Sequence, residues 1–357
     1  MQPFIPLVRY IYRGRRITAE PERNDNMKRI IALAIVFAFC FAFAACNKNS
    51  GNPEPSAEPT QEAQAPTEAP TEAPTEAPTD EPTAAPGARP SCSLDEYPKV
   101  DGSTANIPMA LGLIKVVTGC NDDEAQRSIN FSTTDYSYQA LAEGCCDMLL
   151  VYEASRPTKE TYDPANKMDM HPIGLDALVF ITNTDNPVDS LTLDQIRGIF
   201  SGEITNWKEV GGLDAPINAF QRPELSGSQT LMLDLCMGEV PMAPVEQITV
   251  SNTMEDVIND IAAYDNSANA IGYSVYYYAK NMYTFPNLKF ITVDGVTPTN
   301  ETINSGEYPF INPFYAILPK ANVNPMARSI VEWLESEEGQ LFVSQCGYVP
   351  YLKGAAE

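Results

Sequence analysis

The sequence predicts an α/β protein with a largely parallel sheet. Short apolar runs of strand length alternate with segments of helical period, which is the pattern of strands joined by crossover helices. Several of those runs end in Gly, Ser and Thr clusters that open a helix. In open α/β sheets, such strand-to-helix loops are where ligands are held. The part of the 357-residue chain that can fold is also long enough for one large or two small domains.

That part begins near residue 93. Residues 1–26 show no apolar period and are expected to come from a start upstream of the true one at Met27. Met27-Lys28-Arg29 opens a basic stretch, and residues 30–45 (IIALAIVFAFCFAFAA) are apolar throughout. This has the length of a signal-peptide core rather than of a membrane span. It runs through Ala44-Ala45 into Cys46, which resembles a bacterial lipobox with Phe43 where leucine is usual. The resemblance makes Cys46 the lipidated first residue of the mature protein. Residues 46–92 are that cysteine and a Pro/Thr/Glu-rich spacer, with PTEA repeats from Pro66, Pro70 and Pro74. Proline every fourth residue bars helix and sheet, so the spacer is extended; at ~3.1 Å per residue it reaches on the order of 100 Å.

The remaining segments read in order. Val100-Asp101-Gly102 ends a strand, and a helix opens at Ser103-Thr104. Ile129-Asn130-Phe131 repeats the pattern, with Ser132-Thr133-Thr134 leading a helix through Leu141. CDMLLVY (146–152) and ALVFITN (177–183) are strands. Thr192 and Gln195 form a capping box, followed by apolar Ile196, Ile199 and Phe200 at helical spacing and by Gly202 at the stop. Asn206-Trp207-Lys208 and Gly211-Gly212 are loops, with Trp207 a packing residue. PINAF (216–220) is a strand that leads into Arg222 and Ser226-Gly227-Ser228. Asn252 with Glu255 caps a helix whose apolar face is Met254, Val257, Ile258 and Ile261. AIGYS (270–274), KFITV (289–293) and FYAIL (314–318) are strands, the run Tyr276-Tyr277-Tyr278 belongs to lobe surface and core, and Ile330, Val331 and Leu334 mark a final helix.

The formal net charge is −24, and no basic stripe is present to neutralise phosphates, which excludes nucleic acid as a partner. The single histidine, His171, has no Glu-x-x-His neighbour, and there is no G-x-S-x-G elbow; no zinc-ligand spacing or cofactor motif occurs. No enzyme, cofactor or metal is expected. Of eight cysteines, Cys92, Cys120, Cys145, Cys146, Cys236 and Cys346 remain in the folded part, most of them expected as buried free thiols.

Arg222 and the Ser-Gly-Ser that follows combine a guanidinium fork, hydroxyl donors and a helix start with unpaired N–H groups. That is equipment for holding an oxyanion. LTLDQIRGIFSGEITNWKEVGG (191–212) resembles a segment of the phosphate-binding proteins of bacterial ABC importers. RPELSGSQT (222–230) resembles their Arg-x-x-x-Ser-Gly-Thr phosphate loop, with Ser228 in place of threonine. AIGYS (270–274) and EEGQLFVSQCGYVP (337–350) fit as well. The resemblance covers roughly residues 95–357.

It implies a type II periplasmic-binding-protein fold, with two lobes, a ligand cleft and two crossover strands. Lobe 1 would be 93–175 with 285–357, and lobe 2 would be 176–284. It assigns Arg222, Ser226, Gly227 and Ser228 to the phosphate loop, Ser103 and Thr104 to a first anion loop, and Thr133 and Thr134 to a second. The family also places an aspartate acceptor after a G-x-x-D motif. Here Gly144-Cys145-Cys146-Asp147 is followed by no aspartate, and Glu153 is the stand-in. The implied partners are inorganic phosphate or a related oxyanion, importer permease subunits, and the membrane through the lipid. The protein would be a monomer on the extracellular face of the plasma membrane, within the cell wall. A cell-wall adhesin or signalling lipoprotein reusing the fold is the alternative.

Overall fold

The computed structural model describes residues 87–244, 249–251, 254–263, 267–282 and 285–351. The signal segment, Cys46, most of the spacer and the capping residue Asn252 lie outside the described residues. Among those described, no helix is long and apolar enough to cross a membrane.

Eleven strands are described: β1 (Val100–Gly102), β2 (Met148–Val151), β3 (Met168–Asn183), β4 (Ser190–Leu191), β5 (Asn218–Gln221), β6 (Thr249–Val250), β7 (Ala270–Val275), β8 (Leu288–Phe290), β9 (Thr292–Val293), β10 (Ile311–Pro319) and β11 (Val349–Pro350). The main sheet runs β1-β2-β10-β3-β7-β5-β6, with β8 and β11 also on β3 and with β4 and β9 paired apart. The expected largely parallel sheet is instead mixed. Parallel pairs occupy its two ends, β1 with β2 and β5 with both β6 and β7. The centre, β2-β10-β3-β7, is antiparallel throughout.

The reason lies in β3. This strand is 16 residues long, more than twice the run read from the sequence. Its first part pairs with β10 over Met168–Ala177 and its second with β7 over Leu178–Thr182. One strand thus passes through both halves of the sheet, and the chain must return beside it. The return lies near Phe310, whose carbonyl accepts from the Leu178 N–H. After residue 284 the chain still adds strands beside this part, β8 on the far part of β3 and β9 on β4.

Local signals account for most helices. Thr192 accepts from the Gln195 N–H and caps Leu193–Ser201, which stops at Gly202 in the left-handed region with φ 81°. Met254–Ala263 and Pro325–Leu334 form as expected and bury their apolar faces. Two readings differ. Residues 129–133 form a loop, not a strand, because Ser132 is drawn onto Asp101. Asp122–Ser128, unremarked in the sequence, is a helix with a capping box from Asn121.

Trp207 is 1% exposed, and its indole N–H donates to the Asn269 carbonyl. His171 bonds to Glu335 at 3.2 Å. Tyr276, Tyr277 and Tyr278 are all buried, and Tyr277 stacks on Tyr348. The six described cysteines are free thiols, but only Cys236 is buried and Cys145 is exposed.

Candidate functional site

A cleft of about 360 Å³ opens where the strand ends of the two lobes face each other. Ser103 and Thr104 after β1, Thr133 and Thr134 at the start of the helix Thr134–Ala142, and Arg222, Ser226, Gly227 and Ser228 after β5 all line it. Tyr152, Met254 and Val275 complete its walls, and the exposed side chains of Tyr136 and Leu225 stand at its edge. Glu153 is not among the lining residues. Its carboxylate pairs with Lys159 at 3.1 Å.

The loops from lobe 1 are set by a residue the sequence did not flag. Asp101 Oδ1 accepts from the N–H groups of Gly102 (2.6 Å) and Ser132 (2.7 Å), and Oδ2 accepts from Ser132 Oγ (2.6 Å). One buried carboxylate therefore holds both loops against each other. The Thr133 N–H closes the joint by donating to the Gly102 carbonyl. Thr133 itself has φ 97° and ψ 170°, a region that suits glycine and costs a β-branched residue about 1–3 kcal/mol. That strain sits at the cleft wall, where the hydroxyls of Thr133 and Thr134 are presented.

The lobe 2 loop is built around Arg222. Its backbone N–H donates to Tyr273 Oη (3.0 Å) and Gln229 Oε1 (3.2 Å). Ser226 caps the helix Gly227–Leu231 by accepting from the Gln229 N–H. These bonds fix the main chain and take no nitrogen of the guanidinium, on which the charge of Asp256 acts. Arg222 is 9% exposed, its Nε and Nη1 have no hydrogen-bond partner, and no ion pair to it occurs among the described residues. Ser228 Oγ is likewise buried and unpartnered. Burial pushes the Arg222 pKa down to about 10, so the group remains charged at neutral pH. Gly227 serves by its small size: its φ is not in the left-handed region, but an added Cβ would stand 2.5 Å from Thr134 Oγ1 on the opposite lobe.

Behind the cleft lies a second pair that the sequence reading missed. Tyr152 Oη donates to Asp176 Oδ2 at 2.6 Å, and both residues are about 1% exposed. Asp176 Oδ1 accepts from the N–H groups of Ala177 and Tyr277. Desolvation raises the Asp176 pKa to about 6 from 3.8, against the lowering effect of those bonds. The backbone at Tyr152 is pinned from the helix Thr134–Ala142, because Tyr138 Oη donates to the Tyr152 carbonyl and Asp135 accepts from the Ser155 N–H.

Comparison with known proteins follows the same lines. The family described as the PBP superfamily domain matches residues 72–338. The phosphate-binding protein PstS of Bacillus subtilis (strain 168) is 30% identical over 254 residues, which is 70% of this chain and 79% of that protein. The phosphate-binding protein PstS of Borreliella burgdorferi is 30% identical over 54% of this chain and 68% of its own length. Among solved structures, an ABC-type phosphate transport receptor from Vibrio cholerae superimposes with a TM-score of 0.54 at 22% identity, covering 71% of this chain and 99% of that one. A Clostridium perfringens protein solved with bound phosphate gives a TM-score of 0.56 at 24% identity, covering 71% and 98%.

Two outcomes follow from this geometry. Gly227→Ala puts a methyl group into the approach between the lobes. It will weaken anion binding at least about tenfold while leaving the melting temperature of the free protein unchanged; equal affinity by calorimetry would show that the lobes need not come this close. The second outcome is a pH effect at Asp176. Between its unfolded value near 3.8 and its folded value of about 6, the folded state keeps a proton that the unfolded chain has released. The contribution of this group is therefore greatest below about pH 4 and falls as pH rises through 6. By neutral pH the loss is on the order of 2–3 kcal/mol. Asp176→Asn will raise the melting temperature at about pH 7.5 more than at about pH 4; an equal shift at both would place the strain elsewhere.

Proposed function

The chain belongs to the phosphate-binding proteins of the PBP superfamily, and from that premise we propose that it captures phosphate, or an oxyanion of the same shape, outside the cell membrane and delivers it to the permease subunits of an ABC importer. The observation that carries this reading is the Arg222 guanidinium, buried in the cleft wall with two N–H groups unpartnered beside the unpartnered Ser228 hydroxyl. A buried cation without a counter-charge is costly. An incoming oxyanion offsets that cost, and the planar fork can grip two of its oxygens. Ser103, Thr104, Thr133, Thr134 and Ser226 add hydroxyl and main-chain donors around the remaining oxygens. The cleft binds and releases, and no step of turnover is part of the reading.

The short apolar segment ending in Ala44-Ala45-Cys46 supports a lipid anchor, and the proline-rich stretch after it supports a reach through the cell wall. The protein works as a monomer on the outer face of the membrane.

Calorimetry with inorganic phosphate tests the site. Arg222→Ala will cost on the order of 2–5 kcal/mol of binding, or about thirtyfold or more in Kd. It will not lower the melting temperature of the unliganded protein, since it removes a buried unpaired charge. Unchanged affinity would take Arg222 out of the site. For the anchor, labelled palmitate will enter the wild type and not Cys46→Ala; equal labelling would remove the lipid from the proposal.

A further inference from the structure

The cleft has more room than an inorganic phosphate ion fills. Its volume of about 360 Å³ falls in the range of roughly 300–1,000 Å³ in which clefts hold whole organic molecules. Parted lobes do not account for that space. The lobes already meet at the polar end, where a Cβ on Gly227 would stand 2.5 Å from Thr134 Oγ1.

The lining changes character with depth. Ser103, Thr134, Arg222 and Ser228 are all buried, and all can donate hydrogen bonds. Tyr136 and Leu225 are 57% and 40% exposed and stand at the edge. They come from opposite lobes, and each follows its own lobe's donors closely in sequence. Tyr136 is two residues past Thr134, and Leu225 is three past Arg222. The segments that supply the donors therefore also supply an apolar rim. Five large apolar side chains are exposed to this degree among the described residues. Single ones scattered over a surface need no explanation, but two that line one cleft from opposite lobes do.

Resting on the oxyanion reading above, we propose that the cleft also takes small phosphate monoesters with a neutral apolar or aromatic arm, the phosphoryl head on Arg222 and Ser228 and the arm between Tyr136 and Leu225. The terminal oxygens of a monoester dianion only accept, which suits the buried donors. Its remaining oxygen carries carbon instead of hydrogen and so asks for no acceptor at that depth. Glu224, the single carboxylate among the described lining residues, is exposed, and Glu153 is engaged with Lys159. An arm running from the head to the rim takes the exposed faces of Tyr136 and Leu225 out of water, which is favourable in proportion to the area covered. An aromatic arm adds ring-to-ring contact with Tyr136. Glu224 at the rim opposes an arm that carries a negative charge of its own.

The test uses calorimetry of the full chain with inorganic phosphate, methyl phosphate and phenyl phosphate. The two esters share one head group, and only the phenyl arm is long enough to reach from it to the rim. Wild type will bind phenyl phosphate at least about tenfold more tightly than methyl phosphate. Replacing both rim residues, Tyr136→Ser with Leu225→Ser, will lose that margin through weaker binding of phenyl phosphate. Both side chains are exposed, so the double variant will fold with little change in melting temperature.

General damage to the cleft would weaken both esters together and leave their ratio standing. Phenyl phosphate bound no more tightly than methyl phosphate by wild type, or a margin that survives in the folded double variant, would overturn the inference. If the double variant does not fold, the wild-type ratio and the two single variants still decide. No binding of any of the three anions by wild type would overturn the oxyanion reading and this inference with it; inorganic phosphate bound with neither ester bound overturns this inference alone.

Discussion

A guanidinium that is buried, charged and unpaired is the constraint around which this molecule is arranged. Arginine does not escape burial by shedding its proton near neutral pH, even with its pKa pushed down to about 10. The usual remedy would be a neighbouring carboxylate. Around Arg222 the polar groups do something else: Tyr273 and Gln229 take the backbone N–H and leave the head group alone. The cost is left standing until an anion arrives. Arg222 and Ser228 belong to one lobe and Ser103, Thr104, Thr133 and Thr134 to the other, so in the proposed reading an anion that offsets the charge would also draw the lobes together. The absence of a Cβ at Gly227 lets the backbone come close enough to Thr134 for both walls to reach the same ligand.

An acidic chain is a reasonable host for such a site. The net charge of −24 is spread over the surface and the spacer, and in salt its field fades over about 8–10 Å. The cleft wall itself carries the buried Arg222, and loops that open helices supply Ser103, Thr104, Thr133, Thr134, Ser226 and Gly227 to it. The distant negative charge affects how fast an anion arrives more than how tightly it is held.

Much of this was legible because it is local. The Thr192 cap, the stop at Gly202 and the Arg222–Ser228 spacing are written within a few residues, and local hydrogen bonds decide them. What the sequence did not yield depends on partners far along the chain. The mixed sheet follows from β3 running through both lobes, which no window around residues 177–183 contains. The loop at 129–133 is shaped by Asp101, some thirty residues earlier, and without that carboxylate the apolar pair Ile129 and Phe131 reads as a strand. At Gly227 the need is for space rather than for unusual dihedrals, and the obstacle is Thr134, on the other lobe and far away in sequence. The case of Glu153 is a matter of parity. Side chains alternate along extended backbone, so with Tyr152 turned to the cleft its neighbour turns away, here to Lys159.

The two lobes share β3, and a buried carboxylate sits where that strand changes partner. Asp176 is one of the last β3 residues paired with β10 before the strand changes partner to β7 between Ala177 and Leu178. Its two oxygens take hydrogens from opposite sides of that junction: Tyr152, next to the end of β2 in lobe 1, and the Tyr277 N–H, just beyond β7 in lobe 2. A carboxylate placed there is expensive to bury, as its raised pKa records. It is tolerated because main-chain and phenolic donors satisfy it. The same bonds tie the two lobes together at the strand they share. A change at Asp176 therefore touches both lobes at once, because its partners stand on either side of the strand they share.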